Sequence, residues 1–265
     1  MTGPQRFTSP GILFADSGQP ESDVAWAWLT SHRWDGWGLQ TITVRWILFS
    51  GGGELKPARF VLRNPPAEAG LSSSTHIEVT GDPRVVLSSR ADASLMVLGC
   101  HRRGRLAGLW AGSTAEWLLM RPPAPMLLAH HGYPTQSVAL CVDGSPHSQR
   151  AFQAYWSLPW ARNFAVHLVS VDDGSTDVEG SLQQANAALP QGIVPATVTR
   201  LSGTPKKVLA QYVHTNHVDL VVMGTRGLTS LRRMRVGSTV SALLKDGSAN
   251  LLIAHLPDSE TTGAT

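Results

Sequence analysis

At 265 residues, 42% hydrophobic and 15% charged, the chain has the material for one large or two ordinary buried cores and is not a disordered polymer. Its formal net charge is only +3, no apolar run approaches the roughly 18 to 20 residues of a membrane helix, and the start lacks a charged-then-apolar leader. A cytoplasmic protein without a membrane segment is expected, with Cys100 and Cys141, which have no metal-ligand spacing, both reduced.

Residues 1–10 and 258–265 are polar and read as tails. A first strand closes on "LFADSG" (13–18), and further strands are expected at "TITVRWILF" (41–49) and "THIEVT" (75–80). The glycines and prolines between them, residues 50–74, leave little room for a helix, so the second helix here should be short or missing. "GDPRVVL" (81–87), "LMVLG" (95–99), a glycine loop and "PMLLAH" (125–130) follow, and the turn-rich "HGYPTQ" (131–136) makes a joint.

Beyond the joint the same order returns more cleanly. "VALCV", a helix at 146–156, "AVHLVSV", a helix at 181–189 and "ATVTRL" lead to a helix at 205–214. "DLVVMG", a second glycine loop, a helix at 238–245 and "NLLIAH" complete it. Residues 95–130 align on 220–255 without a gap, placing Gly99 on Gly224 and Gly112-Ser113-Thr114 on Gly237-Ser238-Thr239. "LFADSG" echoes "LCVDGS" (140–145), which sets Asp16 against Asp143. The chain is a tandem duplication, divided as 1–132 and 133–265. Strict alternation of strand and helix, with strands apolar at successive positions, means α/β copies whose parallel sheets are covered on both faces.

In an open parallel sheet a ligand sits beyond the carboxyl ends of the strands, where connections diverge to opposite faces. With strand order 3-2-1-4-5 that crevice lies between "VDGS" and "MGTRG" in the second copy. Gly237-Ser238-Thr239 opens the next helix, whose free N–H groups favour a phosphate. The loop resembles the signature of the universal stress protein family, G-x2-G-x9-G-[ST], met by Gly224, Gly227, Gly237 and Ser238, with Asp143 closing the first strand. The resemblance covers nearly the whole chain as two tandem family domains. It implies two Rossmann-like (HUP-type) domains, each a five-stranded parallel sheet with helices on both faces.

For these positions the resemblance further implies ATP or a related adenine nucleotide. Asp143 and Val171 would border the adenosine, and Met223 and Gly224 would underlie the ribose. Gly227, Gly237, Ser238 and Thr239 would cradle the phosphates, with Arg226 beside them. In the first copy Arg102 stands at the second glycine. Asp16, Gly99, Gly112 and Ser113 survive there as a degenerate site. The resemblance implies, too, that last strands pair across a two-fold axis, so that the two copies satisfy each other, with a homodimer as a further assembly.

No G-x4-G-K-[ST] or G-x-S-x-G is present, and no nucleophile, base and orienting group stand together as a dedicated enzyme needs. His214 and His217, and His130 with His131, lack a third ligand. Asp172-Asp173 would suit a magnesium ion accompanying the nucleotide, or form a solvated turn. Arg226, Arg232, Arg233 and Arg235, with His101, Arg102, Arg103 and Arg105, suit phosphates, but a reading helix and a stacking strand for nucleic acid are missing. Seven of nine tryptophans precede residue 120, an expected source of core packing and of a surface for an unidentified protein partner. The expectation is an ATP-binding, stress-adaptive regulator; the alternative is an interaction scaffold of the same fold that binds no nucleotide.

Overall fold

A computed structural model describes residues 7, 10–45, 61–100, 114–225, 227 and 236–256. The chain divides into two units, Met1–Pro134 and Thr135–Thr265.

In the first unit β1 (Gly11–Asp16), α1 (Pro20–Thr30), β2 (Gly38–Arg45), β3 (Ser73–Thr80), α2 (Pro83–Ser88), β4 (Leu95–Gly99), α3 (Thr114–Met120) and β5 (Met126–Ala129) follow in order. All pairings within it are parallel, in the order β3-β2-β1-β4-β5. β1 and β4 are buried almost throughout, as strands covered on both faces must be, whereas the edge strand β3 is largely exposed. β2 begins at Gly38, ahead of the expected Thr41, and residues 46–49 of that expectation lie outside the described residues. Among the described residues the connection from β2 to β3 holds only the 3-10 turn Ala67–Ala69, in line with its prolines. Trp28 and Trp34 are fully buried and meet edge to face at 6.1 Å, so they serve the core, as does Trp37.

The second unit runs β6 (Ser137–Cys141), α4 (Pro146–Trp156), β7 (Ala165–Asp172), α5 (Val178–Ala187), β8 (Thr197–Ser202), α6 (Pro205–Thr215), β9 (Leu220–Gly224), α7 (Ser238–Asp246) and β10 (Asn250–Ala254). Its order is β8-β7-β6-β9-β10, again parallel throughout. α4 starts where Pro146 cannot miss a donor and where Ser145 Oγ accepts the N–H of Ser148 at 3.2 Å. α5 starts three residues before the expected Ser181 because Asp177 caps it, accepting the N–H of Gly180 at 3.0 Å. α7 stops at Gly247, whose φ of 63° only a glycine adopts at little cost.

The strand registers correct one equivalence between the copies. Ile12 pairs with Leu95 and Val138 with Leu220. Because Leu95 corresponds to Leu220, Ile12 corresponds to Val138, and counting onward brings Asp16 to Val142 and Ser17 to Asp143. Three further matches agree. Gly18 and Gly144 share a left-handed φ (68° and 75°), Pro20 and Pro146 open their helices, and the N–H groups of Ser17 and Asp143 donate to the hydroxyls of Ser22 (2.9 Å) and Ser148 (3.5 Å). One residue of register reverses the face a side chain occupies.

Candidate nucleotide site

The ends of β6, β7 and β9 and the starts of α6 and α7 enclose a cavity of about 440 Å³, a size suited to a small organic ligand. Asp143, Val171, Met223, Gly224, Gly227, Gly237, Ser238 and Thr239 all line it. Further residues complete the wall, among them Asp173, which the sequence offered as a magnesium ligand. Cys141, Val142, Val169 and Leu209 add apolar surface, while Asp173, Ser175, Thr176, Thr204 and Lys206 add polar groups. Arg226 lies outside the described residues, as do Gly112, Ser113 and the basic stretches 101–105 and 232–235.

Local chemistry fixes most of these groups. Asp143 accepts the N–H of Ser145 at 3.0 Å through Oδ1, the turn that leads into α4. A Cβ built on Gly227 would come within 2.8 Å of Asp143 Oδ2, so glycine lets the backbone at this position approach that carboxylate. Gly237 caps α7 without a side-chain bond, and its own N–H donates to the Thr225 carbonyl at 3.2 Å. The first N–H groups of α7 have no intrahelical partner, which makes this rim of the cavity attractive to an anion. Burial pushes the Cys141 thiol up to about 12, so it is a neutral wall and not a nucleophile.

Gly224 has a structural reason to be glycine. A Cβ there would meet the carbonyl carbon of His147 and the N of Ser148 at 2.7 Å, both backbone atoms at the start of α4. Gly99 faces α1 in the same way, and a Cβ added to it would run into the carbonyl oxygen of Glu21. The first glycine of the motif thus packs helix on strand in both units and does not by itself report a ligand.

The two aspartates after β7 divide their work. Asp172 pairs with Arg200, which holds its carboxyl below the usual range. Asp173 faces the cavity but accepts from the Ser175 hydroxyl at 2.7 Å, the Ser175 N–H at 3.0 Å and the Thr176 hydroxyl at 3.3 Å, and the Ser175 hydroxyl is the main cause of its lowered pKa. Among the described residues no group of three His, Cys, Asp or Glu stands as metal ligands would. His214 instead bonds Asp246 at 2.9 Å. No helix among them is long and apolar enough to cross a membrane.

In the first unit Asp16 is engaged in an ion pair. Its carboxylate accepts from Arg63 Nε at 2.6 Å and Nη2 at 3.2 Å, and Nη2 also donates to Asp23 on α1 at 2.8 Å. Phe14 and Trp26 flank the guanidinium, with centroids 5.6 and 5.7 Å from Cζ. The acid that survives there holds a buried ion pair, and Ser17 occupies the crevice position. By register it is Ser17, not Asp16, that corresponds to Asp143.

Residues 174–255 match the family model described as Universal stress protein family. A universal stress protein of Synechocystis sp. is 25% identical over 197 residues, 72% of this chain and 68% of that protein. The crystal structure of a universal stress protein from Archaeoglobus fulgidus superposes with a TM-score of 0.70 at 15% identity, covering 94% of this chain and 99% of its own. A universal stress protein family protein from Arabidopsis thaliana with AMP bound covers 48% of this chain and 95% of its own, at 18% identity and a TM-score of 0.37.

Proposed function

Because this chain belongs to the universal stress protein family, we propose that it is an ATP-binding regulator whose second unit holds the nucleotide. Some family members bind adenine nucleotides. The observation that carries the reading is the cavity in which every described residue expected to contact nucleotide meets. Its floor of Val142, Val169, Val171, Leu209 and Met223 suits the faces of a purine, and the uncapped start of α7 suits a phosphate. Gly227, Gly237, Ser238 and Thr239 would hold the phosphates, with Arg226 beside them, and Asp143 would face the sugar.

The arrangement suits binding more than turnover. Asp143 already serves a turn, Cys141 is protonated, and Asp173, the carboxylate beside the Ser175 and Thr176 hydroxyls, is itself engaged in the turn those residues make. The first unit, with Ser17 in place of Asp143 and Arg102 at the second glycine, would leave one site per chain. Denaturing the purified protein and identifying what it releases by mass spectrometry tests the reading. An adenine nucleotide near one equivalent per chain supports it. No released nucleotide, together with no uptake of added ATP, would instead support a scaffold of the same fold.

A further inference from the structure

Lys206 is the second residue of α6 and lines the cavity, yet it makes no ion pair with any described residue. The other charged residues among the described lining are Asp143 and Asp173, both acids. A polyanionic ligand would meet two carboxylates here, and a cation turned inward would offset one of them. Lys206 can do so because its flexible stem carries a point charge that needs no fixed geometry.

The first unit shows the alternative. "GDPRVVL" and "GTPKKVL" place Asp82 against Thr204 and Arg84 against Lys206. Asp82 holds Arg84 in a two-oxygen pair, Nε at 3.0 and 3.1 Å and Nη2 at 2.6 Å, and accepts the Arg84 N–H at 2.9 Å. That cation is spent on its own helix cap. In the second unit Thr204 caps α6 without a side-chain bond and carries no charge, so Lys206 stays available.

We infer that Lys206 makes the site select charged nucleotides over the uncharged nucleoside, and that Thr204 permits this by not being acidic. The inference rests on nucleotide binding by the second unit. Coulomb attraction to a partly screened phosphate predicts a modest but charge-dependent effect.

The test is calorimetric titration of the full chain with ATP, AMP and adenosine. Lys206→Met should weaken ATP by about fivefold while changing adenosine less than about twofold, and it should flatten the salt dependence of ATP binding. Lys206→Arg should restore both. Thr204→Asp, which copies the first unit's pair, should weaken ATP at least as much as Lys206→Met. Equal losses for ATP and adenosine, or no loss in either variant, would overturn the role of Lys206 while leaving the site intact. If the unchanged chain binds none of the three, the nucleotide reading falls and this inference with it.

Discussion

Arg63 closes on Asp16 at 2.6 Å, and both side chains are buried, at 6% and 1% exposure. The pair stands on the face of the first unit that α5 covers in the second. There Gln184 of α5 meets Gln149 of α4, the counterpart of Asp23. An arginine reaching in from the β2–β3 connection therefore performs, with two carboxylates, the tethering that a packed helix performs in the other copy.

Removing one partner of such a pair leaves the other charge buried. Arg63→Met should cost about 3–5 kcal/mol in urea unfolding, while Arg63→Met with Asp16→Leu should recover most of it, because an apolar pair avoids desolvation. Neither variant should add a nucleotide site, since Ser17 stands in place of Asp143 and Arg102 at the second glycine. A second ATP equivalent in either one would show that Arg63 was blocking a ligand.

The glycines of the motif should separate by experiment. Gly224→Ala and Gly99→Ala each press a methyl into the backbone of α4 or α1, and each should cost about 1–3 kcal/mol by overpacking. Urea unfolding measures both. Gly99→Ala should leave ATP affinity unchanged, whereas Gly224→Ala should weaken it by moving a cavity wall.

Gly227 stands instead against the carboxylate of Asp143, which lines the cavity. Gly227→Arg should displace Asp143 and weaken ATP at least about tenfold, near 1.4 kcal/mol, with a far-UV spectrum close to that of the parent. Unchanged affinity would make the loop a turn and nothing more.

His32 gives the fold a pH dependence. Its Nδ1 donates to the Trp28 carbonyl at 2.8 Å, and burial lowers its pKa from 6.5 to about 4. The folded state keeps it neutral while the unfolded chain protonates it below about pH 6.5. Its contribution is complete above that pH and is lost as pH falls toward 4, about 3 kcal/mol in all. Unfolding free energies at pH 7, 5.5 and 4 should show that loss, and His32→Gln should reduce the slope. A parent and variant with the same slope would contradict it.

The duplication and the parallel sheets were legible, and the described residues expected at the site line one cavity, because glycine, proline and apolar runs mark strand ends wherever they fall. The false match of Asp16 to Asp143 came from weighting a shared acid over register. A gapless match of Gly18 to Gly144 and Pro20 to Pro146 was present in the same residues and gives the correct face. The role of Lys206 was also written in the sequence, as Thr204 against Asp82. It became visible only when the fold brought the start of α6 to the cavity, because strand–helix patterns say which residues share an element and not which elements share a ligand.

The measurement closest to the central claim is a calorimetric titration of the intact chain with ATP, repeated on Gly227→Arg. The account predicts about one equivalent per chain, largely lost in the variant. Two equivalents of similar affinity, or one equivalent that survives the variant unchanged, would contradict a single site in the second unit.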